Sequence, residues 1–172
     1  MLLKNKLTVL LLTSCLTMEA LPPQTYHNAL RQRYPQATDI TWRQVGNDYV
    51  ATFQLNDFLT HTWLTPNGQW LMTDTDLQTA DQLPPTVYNY FTMSSYAEWN
   101  LADVHRIELA TPDSIDSLCR KSAQIDPIRY VLVVNYDNST ETYQLIYTPD
   151  GVLVRTRDVS YLPTTLTPQD FF

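Results

Sequence analysis

Three histidines (His27, His61, His105), two cysteines (Cys15, Cys119) and eighteen acidic residues are the groups from which this 172-residue chain would have to build catalytic or metal chemistry. Zinc sites need ligands at short, repeated spacings such as HExxH, and these histidines are isolated from one another. Asp74, Asp76 and Asp81 offer oxygen ligands, but their run lacks the glycine and closing glutamate of an EF-hand loop, so they read as turn residues and caps. Glycoside hydrolysis needs two carboxylates at a working separation, and nothing in the sequence singles out such a pair. No GxSxG marks a serine nucleophile. Cys119, within Ser117-Leu118-Cys119-Arg120, has no neighbouring His or Asp to take its proton and reads as an ordinary thiol; a cleft bringing it within hydrogen-bond reach of His105 would reopen an enzyme reading. Three glycines leave little material for a phosphate loop, and neither GxGxxG nor GxxxxGK[ST] occurs. The reading is a non-enzyme with no catalytic residue, no metal and no cofactor.

Composition narrows the partners. A formal net charge of −7 and a pI near 4.7 disfavour nucleic acid and anionic membrane surfaces, both of which recruit Lys and Arg. At 44% hydrophobic residues the chain has enough apolar material for a real core. The start, MLLKNKLTVLLLTSC, carries Lys4 and Lys6 before the apolar run Leu7 to Leu12, shorter than the ~18 residues of a membrane span. It reads as a signal peptide over 1–14. Leu12-Thr13-Ser14-Cys15 resembles a bacterial lipobox, with Cys15 the lipidated first residue of the mature protein. The alternative, cleavage at Ala20, puts Met18 where a small residue is preferred. The expectation is an exported protein, periplasmic or anchored to the outer membrane, touching the membrane only through that lipid. Loss of Lys4 and Lys6 takes the mature charge to −9. With Cys15 committed to the anchor, Cys119 has no disulfide partner in the chain.

The elements that position everything else come from an internal repeat. Leu21-Pro22-Pro23-Gln24-Thr25-Tyr26 reappears as Leu83-Pro84-Pro85-Thr86-Val87-Tyr88, and Tyr34 and Tyr96 each follow eight residues after those tyrosines. Tyr49-Val50 matches Tyr130-Val131, and Thr65-Pro66-Asn67-Gly68 matches Thr148-Pro149-Asp150-Gly151. The spacing predicts two units, 21–80 and 81–160, the second with an insertion at about 111–127, and a C-terminal tail over 161–172. Each unit opens with a proline suited to the first helical turn and continues with helical spacing: Tyr26, Ala29, Leu30 in one, Tyr88 and Phe91 in the other. Period-two alternation, as in Tyr49, Ala51, Phe53 and Leu55, then predicts strands near 40–45, 48–55, 58–65 and 69–74, and near 103–110, 129–135, 141–148 and 152–159. The expected fold is α+β: two tandem repeats, each a short helix packed on a four-stranded antiparallel meander. Tyr130-Val-Leu-Val-Val134 is apolar on both faces and should be covered on both. The tail has no period and either frays or docks through Phe171 and Phe172.

This pattern, LPxxxY from Leu21, Tyr34-Pro35-Gln36-Ala37 with Trp42, Tyr49-Val-Ala-Thr-Phe53, then Gly68 and Trp70-Leu71, resembles the PepSY-like, β-lactamase-inhibitor-like envelope proteins of Bacteroides-type bacteria. The resemblance spans the mature chain, the first unit matching better: the second has Ala97-Glu98 where the first has Pro35-Gln36. It implies a helix on an antiparallel sheet in each repeat, export to the envelope and no catalytic residue or cofactor to carry over. The inhibitor label implies a partner gripped by a concave sheet surface, an inference from architecture.

Most aromatics at matched positions (Tyr26, Tyr34, Trp42, Tyr49, Phe53, Trp70) are expected in the core. Trp63, beside His61 on a Thr-rich strand, is the expected exposed anchor, and His61, Trp63 and Trp99 are the candidate partner-binding residues. The function expected is non-catalytic binding of a protein in the envelope, a hydrolase or peptidase that it inhibits. The alternative is a sensor or carrier holding a small ligand or glycan on stacked aromatics. Oligomeric state is not specified by the sequence.

Overall fold

The structure is a computed structural model and describes residues 24–110, 126–137 and 139–171. The expected signal peptide with Cys15, the Leu21-Pro22-Pro23 opening, most of the expected insertion with Cys119, and Phe172 lie outside the described residues.

Helix α1 (Gln24–Arg33) buries Tyr26 and Leu30, four residues apart on one face, and ends on Arg31 and Arg33, whose charges oppose the carbonyl end of its dipole. Helix α2 (Pro85–Thr92) starts on a proline, which needs no hydrogen-bond acceptor at that position, and buries Val87 and Phe91 at the same spacing. The strands are β1 (Thr38–Val45), β2 (Asp48–Leu55), β3 (Phe58–Leu64), β4 (Trp70–Asp76), β5 (Asn100–Leu109), β6 (Ile128–Asn135), β7 (Thr142–Tyr147) and β8 (Leu153–Asp158). Both helices are shorter than an isolated helix needs to persist, so each depends on the sheet beneath it. Among the described residues no helix is long and apolar enough to cross a membrane.

The fold is α+β, but two separate four-stranded units are not what forms. The eight strands make one antiparallel sheet in the order β1 to β8. The join is β4 with β5, where Asp74 pairs with Ile107 and Asp76 with His105. Two independent meanders would each leave β4 or β5 as an edge of unpaired N–H and C=O groups, and pairing them satisfies both. Arg33 adds a tie across the halves, 2.6 Å from Glu108 on β5 and stacked 3.4 Å over the Trp70 ring.

Register puts both helices on one face. Phe53, Thr60, Thr75, Arg106, Tyr130 and Tyr147 are successive cross-strand partners and so project the same way. On this face α1 packs Leu30 against Ala51 and Phe53, while α2 packs Val87 and Phe91 against Val104, Leu132, Leu145 and Tyr147. β6 is an interior strand with Val131, Leu132, Val133 and Val134 all buried, which accounts for its two-sided apolar sequence.

Corresponding turns anchor the two helices. Gly68 N–H donates to Thr65 O and Gly151 N–H to Thr148 O, each at 2.9 Å, with φ of +78° and +87°. The Tyr26 hydroxyl donates to Pro66 O, and Thr86 Oγ1 donates to Pro149 O at 2.8 Å. The turns differ in room. A Cβ on Gly151 would lie 2.3 Å from Cδ2 of Tyr90 and 3.0 Å from the Thr86 carbonyl, whereas one on Gly68 meets nothing nearer than the Tyr26 ring at 3.9 Å. Gly68→Ala should therefore cost about 1 kcal/mol, from the left-handed backbone alone. Gly151→Ala adds an overpacking penalty and should cost about 3 kcal/mol. Urea unfolding of the two variants checks this, and equal losses would remove the Tyr90 contact from the explanation.

Candidate interaction face

The sheet's other face carries Val50, Trp63, Met72 and Leu109 in one cross-strand row, Thr52, His61, Asp74, Ile107 and Arg129 in a second, and Asp76, His105, Val131, Ile146 and Arg155 in a third. Its centre is apolar and covered. Leu166 and Phe171, each 1% exposed, join Val50, Trp63, Met72, Ile107, Leu109, Val131 and Ile146 in one cluster. Of the tail's two expected alternatives, docking is what Phe171 does. A single turn at Pro168–Asp170 sets this up: the Asp170 carboxylate accepts from Thr167 N–H at 2.7 Å, a capping box. The other Asp170 oxygen accepts from Arg157 at 2.6 Å, Arg155 donates to the Asp170 carbonyl, and Gln144 Nε2 donates to Thr164 O at 2.9 Å.

Beside this apolar strip, the tail and strands β3 to β5 border a half-open cavity of about 160 Å³ lined by Leu59, His61, Asp74, Asp76, Asp103, His105 and residues 164–166. His105 Nδ1 is 2.9 Å from Asp74 Oδ1, and His61 Nδ1 is 2.9 Å from Thr52 Oγ1. The two imidazoles shift in opposite directions. Burial is the largest influence on His105 and lowers it, but the Asp74 hydrogen bond and the charges of Asp74, Asp103 and Asp76 together carry it above its ordinary value. Burial holds His61 below its ordinary value, with Arg43 and His105 adding to the depression and Asp74 and Asp76 opposing it. Among the described residues no group of three or more His, Cys, Asp or Glu is set to hold a metal ion. The groups gathered on this face are an apolar strip flanked by carboxylates, imidazoles and, on β8, two guanidiniums.

The three sequence candidates separate. His61 lies half-buried at the cavity. Trp63, expected as an exposed anchor, is 2% exposed, because β3 is an interior strand and this side of it lies in the tail's cluster. Trp99 belongs to the opposite face, in the loop before β5, where it meets Tyr96, Tyr136 and Tyr143 at ring separations of 5.2, 5.2 and 5.4 Å. No single surface contains all three. Sequence reasoning missed the Asp74–His105 pair and the Arg155, Arg157 and Asp170 contacts. The run Thr167-Pro168-Gln169-Asp170, a capping-box pattern, was the available signal that the tail is ordered.

No protein-family model matches the chain. No curated protein matches it either. Solved structures do. A DUF2874 family protein from Bacteroides ovatus is 35% identical with a TM-score of 0.76, the match covering 88% of this chain and 97% of that one. A DUF2874 family protein from Bacteroides uniformis is 30% identical with a TM-score of 0.70, covering 82% and 92%. A BLIP-like protein from Bacteroides fragilis is 32% identical with a TM-score of 0.73, covering 87% and 95%.

Proposed function

Because the chain belongs to the DUF2874 family, we propose that it is a non-catalytic binding protein of the bacterial envelope that grips a protein partner with the sheet face opposite its helices. The observation that carries this reading is the one-sided architecture: both helices pack on one face of a single eight-stranded sheet, and the other face holds a charged cavity beside an apolar strip that the tail covers. A BLIP-like structural neighbour with this fold supports a protein as the partner, a hydrolase or peptidase that binding would inhibit. The leader over 1–14 with a lipid on Cys15 would tether the domain in the envelope. The order helix, four strands, helix, four strands supports the reading of 21–80 and 81–160 as copies of one PepSY-like unit.

The test uses photo-cross-linking amino acids at two exposed positions in the full chain, expressed in its own cell type. Leu59 lines the cavity on the binding face, and Tyr90, on α2, is 53% exposed on the helix side. One stoichiometric protein adduct from Leu59 and none from Tyr90 is expected. The reverse pattern, or no adduct from either, overturns the reading.

A second reading is favoured by one specific feature, the Tyr96, Trp99, Tyr136 and Tyr143 cluster, with Tyr136 52% exposed at its rim. Such a platform suits a glycan or small ring-bearing ligand. Quenching of Trp99 fluorescence by a sugar, lost in Tyr136→Ala, would favour it.

A further inference from the structure

We infer that residues 161–171 are a strap holding the binding face closed, and that the partner enters by displacing it with an extended segment of the same chemistry: an apolar side chain, then an aromatic one with a carboxylate beside it. This rests on the reading of that face as the binding face.

The tail is held on the sheet by side-chain contacts and, unlike the two helices, has only a single turn of regular structure of its own. Among the described residues its backbone hydrogen bonds are local, from Leu162 N–H to Val159 O, Asp170 N–H to Thr167 O and Phe171 N–H to Pro168 O, with none in a strand ladder. Only Leu166, Pro168 and Phe171 of the segment are buried, and 161–165 are exposed. What holds it down is side-chain work: two apolar plugs in the strip, Gln144 on the Thr164 carbonyl, and the β8 arginines on Asp170. A segment held by side chains, without ladder bonds or a helix of its own, sits at the low-stability end of a fold and opens without the rest. Opening it bares the apolar strip, including Trp63, and releases Arg157 from its carboxylate. A strip with two guanidiniums at one end suits an acid-and-aromatic peptide, the chemistry the tail itself presents. Held in cis, the tail competes at an effective concentration of order millimolar, so only a matching partner at high affinity or local density opens the face.

The test adds a fluorescent synthetic peptide of residues 161–171 to the full chain and to a full-chain Asp170→Ala/Phe171→Ala variant, with hydrogen exchange on the unmodified chain. Binding to the variant should be at least tenfold tighter than to the native chain. The amides of Asp170 and Phe171 should exchange at least a hundredfold faster than those of Leu132 and Val133. Equal peptide affinity, no binding to either, tail amides as slow as those of β6, or a variant that fails to fold would each overturn the strap, the last because the tail would then be core. If the strap fails while Leu59 still cross-links a partner, the binding-face reading stands; loss of cross-linking with the peptide results intact removes that reading and the strap's role in partner entry with it, leaving only a displaceable tail.

Discussion

Ile107→Asp is expected to unfold the whole chain, not only its second half. Ile107 has no exposed surface, faces the tail's cluster, and sits on β5 between β4 and β6, paired with Asp74 and Arg129. Losing the burial of the isoleucine side chain costs about 1.5–3 kcal/mol, and desolvating a carboxylate beside that of Asp74 adds several more, since the Arg129 guanidinium opposite is already held by the Asp126 and Ile128 carbonyls. The sum rivals the total stability of a typical domain, about 5–15 kcal/mol. Because β4 and β5 form one ladder and Arg33 of α1 reaches Glu108 of β5, the halves share the loss. Tryptophans report on both, Trp42, Trp63 and Trp70 before the join and Trp99 after it. In the native chain, urea unfolding followed by fluorescence and by far-UV circular dichroism should give one coincident transition. Two transitions, with the first half surviving in Ile107→Asp, would show that the meanders are independent after all.

Asp74→Ala should cost about 3 kcal/mol near pH 5.5, the loss expected when one member of a nearly buried ion pair is removed, and less at pH 8. The sign follows from His105. Its folded-state value lies above the unfolded one, so the stability it confers is complete below about pH 6.5 and is lost as pH rises through the folded-state value. His61 works the other way. Its folded-state value is depressed, so its contribution is present above about pH 6.5 and is lost as pH falls through the folded-state value. The two histidines thus act on opposite limbs of the pH profile, His105 on the alkaline one and His61 on the acid one. Unfolding free energy measured from pH 5 to 8 should show His105→Gln flattening the alkaline limb and His61→Gln flattening the acid limb. An unchanged profile in both variants would remove these two groups as its cause.

The local grammar of this fold was legible. Prolines followed by aromatic and apolar residues at helical spacing marked α1 and α2, alternation marked the strands, and Gly68 and Gly151 marked turns whose positive φ a side chain resists. All of these are decided within about ten residues, where backbone sterics and side-chain period dominate. The site was legible only in part. His61 and Trp63 lie on one side of β3, since residues two apart on a strand share a face. What that face meets was not written there, and Trp63 proved buried.

By itself the sequence determined the two helices and eight strands of the described residues, the order in which they occur and the acidic composition. The tertiary structure decided three things. It joined β4 to β5, because strand edges choose partners by hydrogen-bond satisfaction and not by any local signal. It set His105 against Asp74, 31 residues apart in the chain, giving one histidine a carboxylate and the other a hydroxyl. And it laid an aperiodic tail over the one sheet face the helices leave uncovered, because an apolar strip that no helix covers is stabilised by whatever apolar side chains the rest of the chain can bring to it.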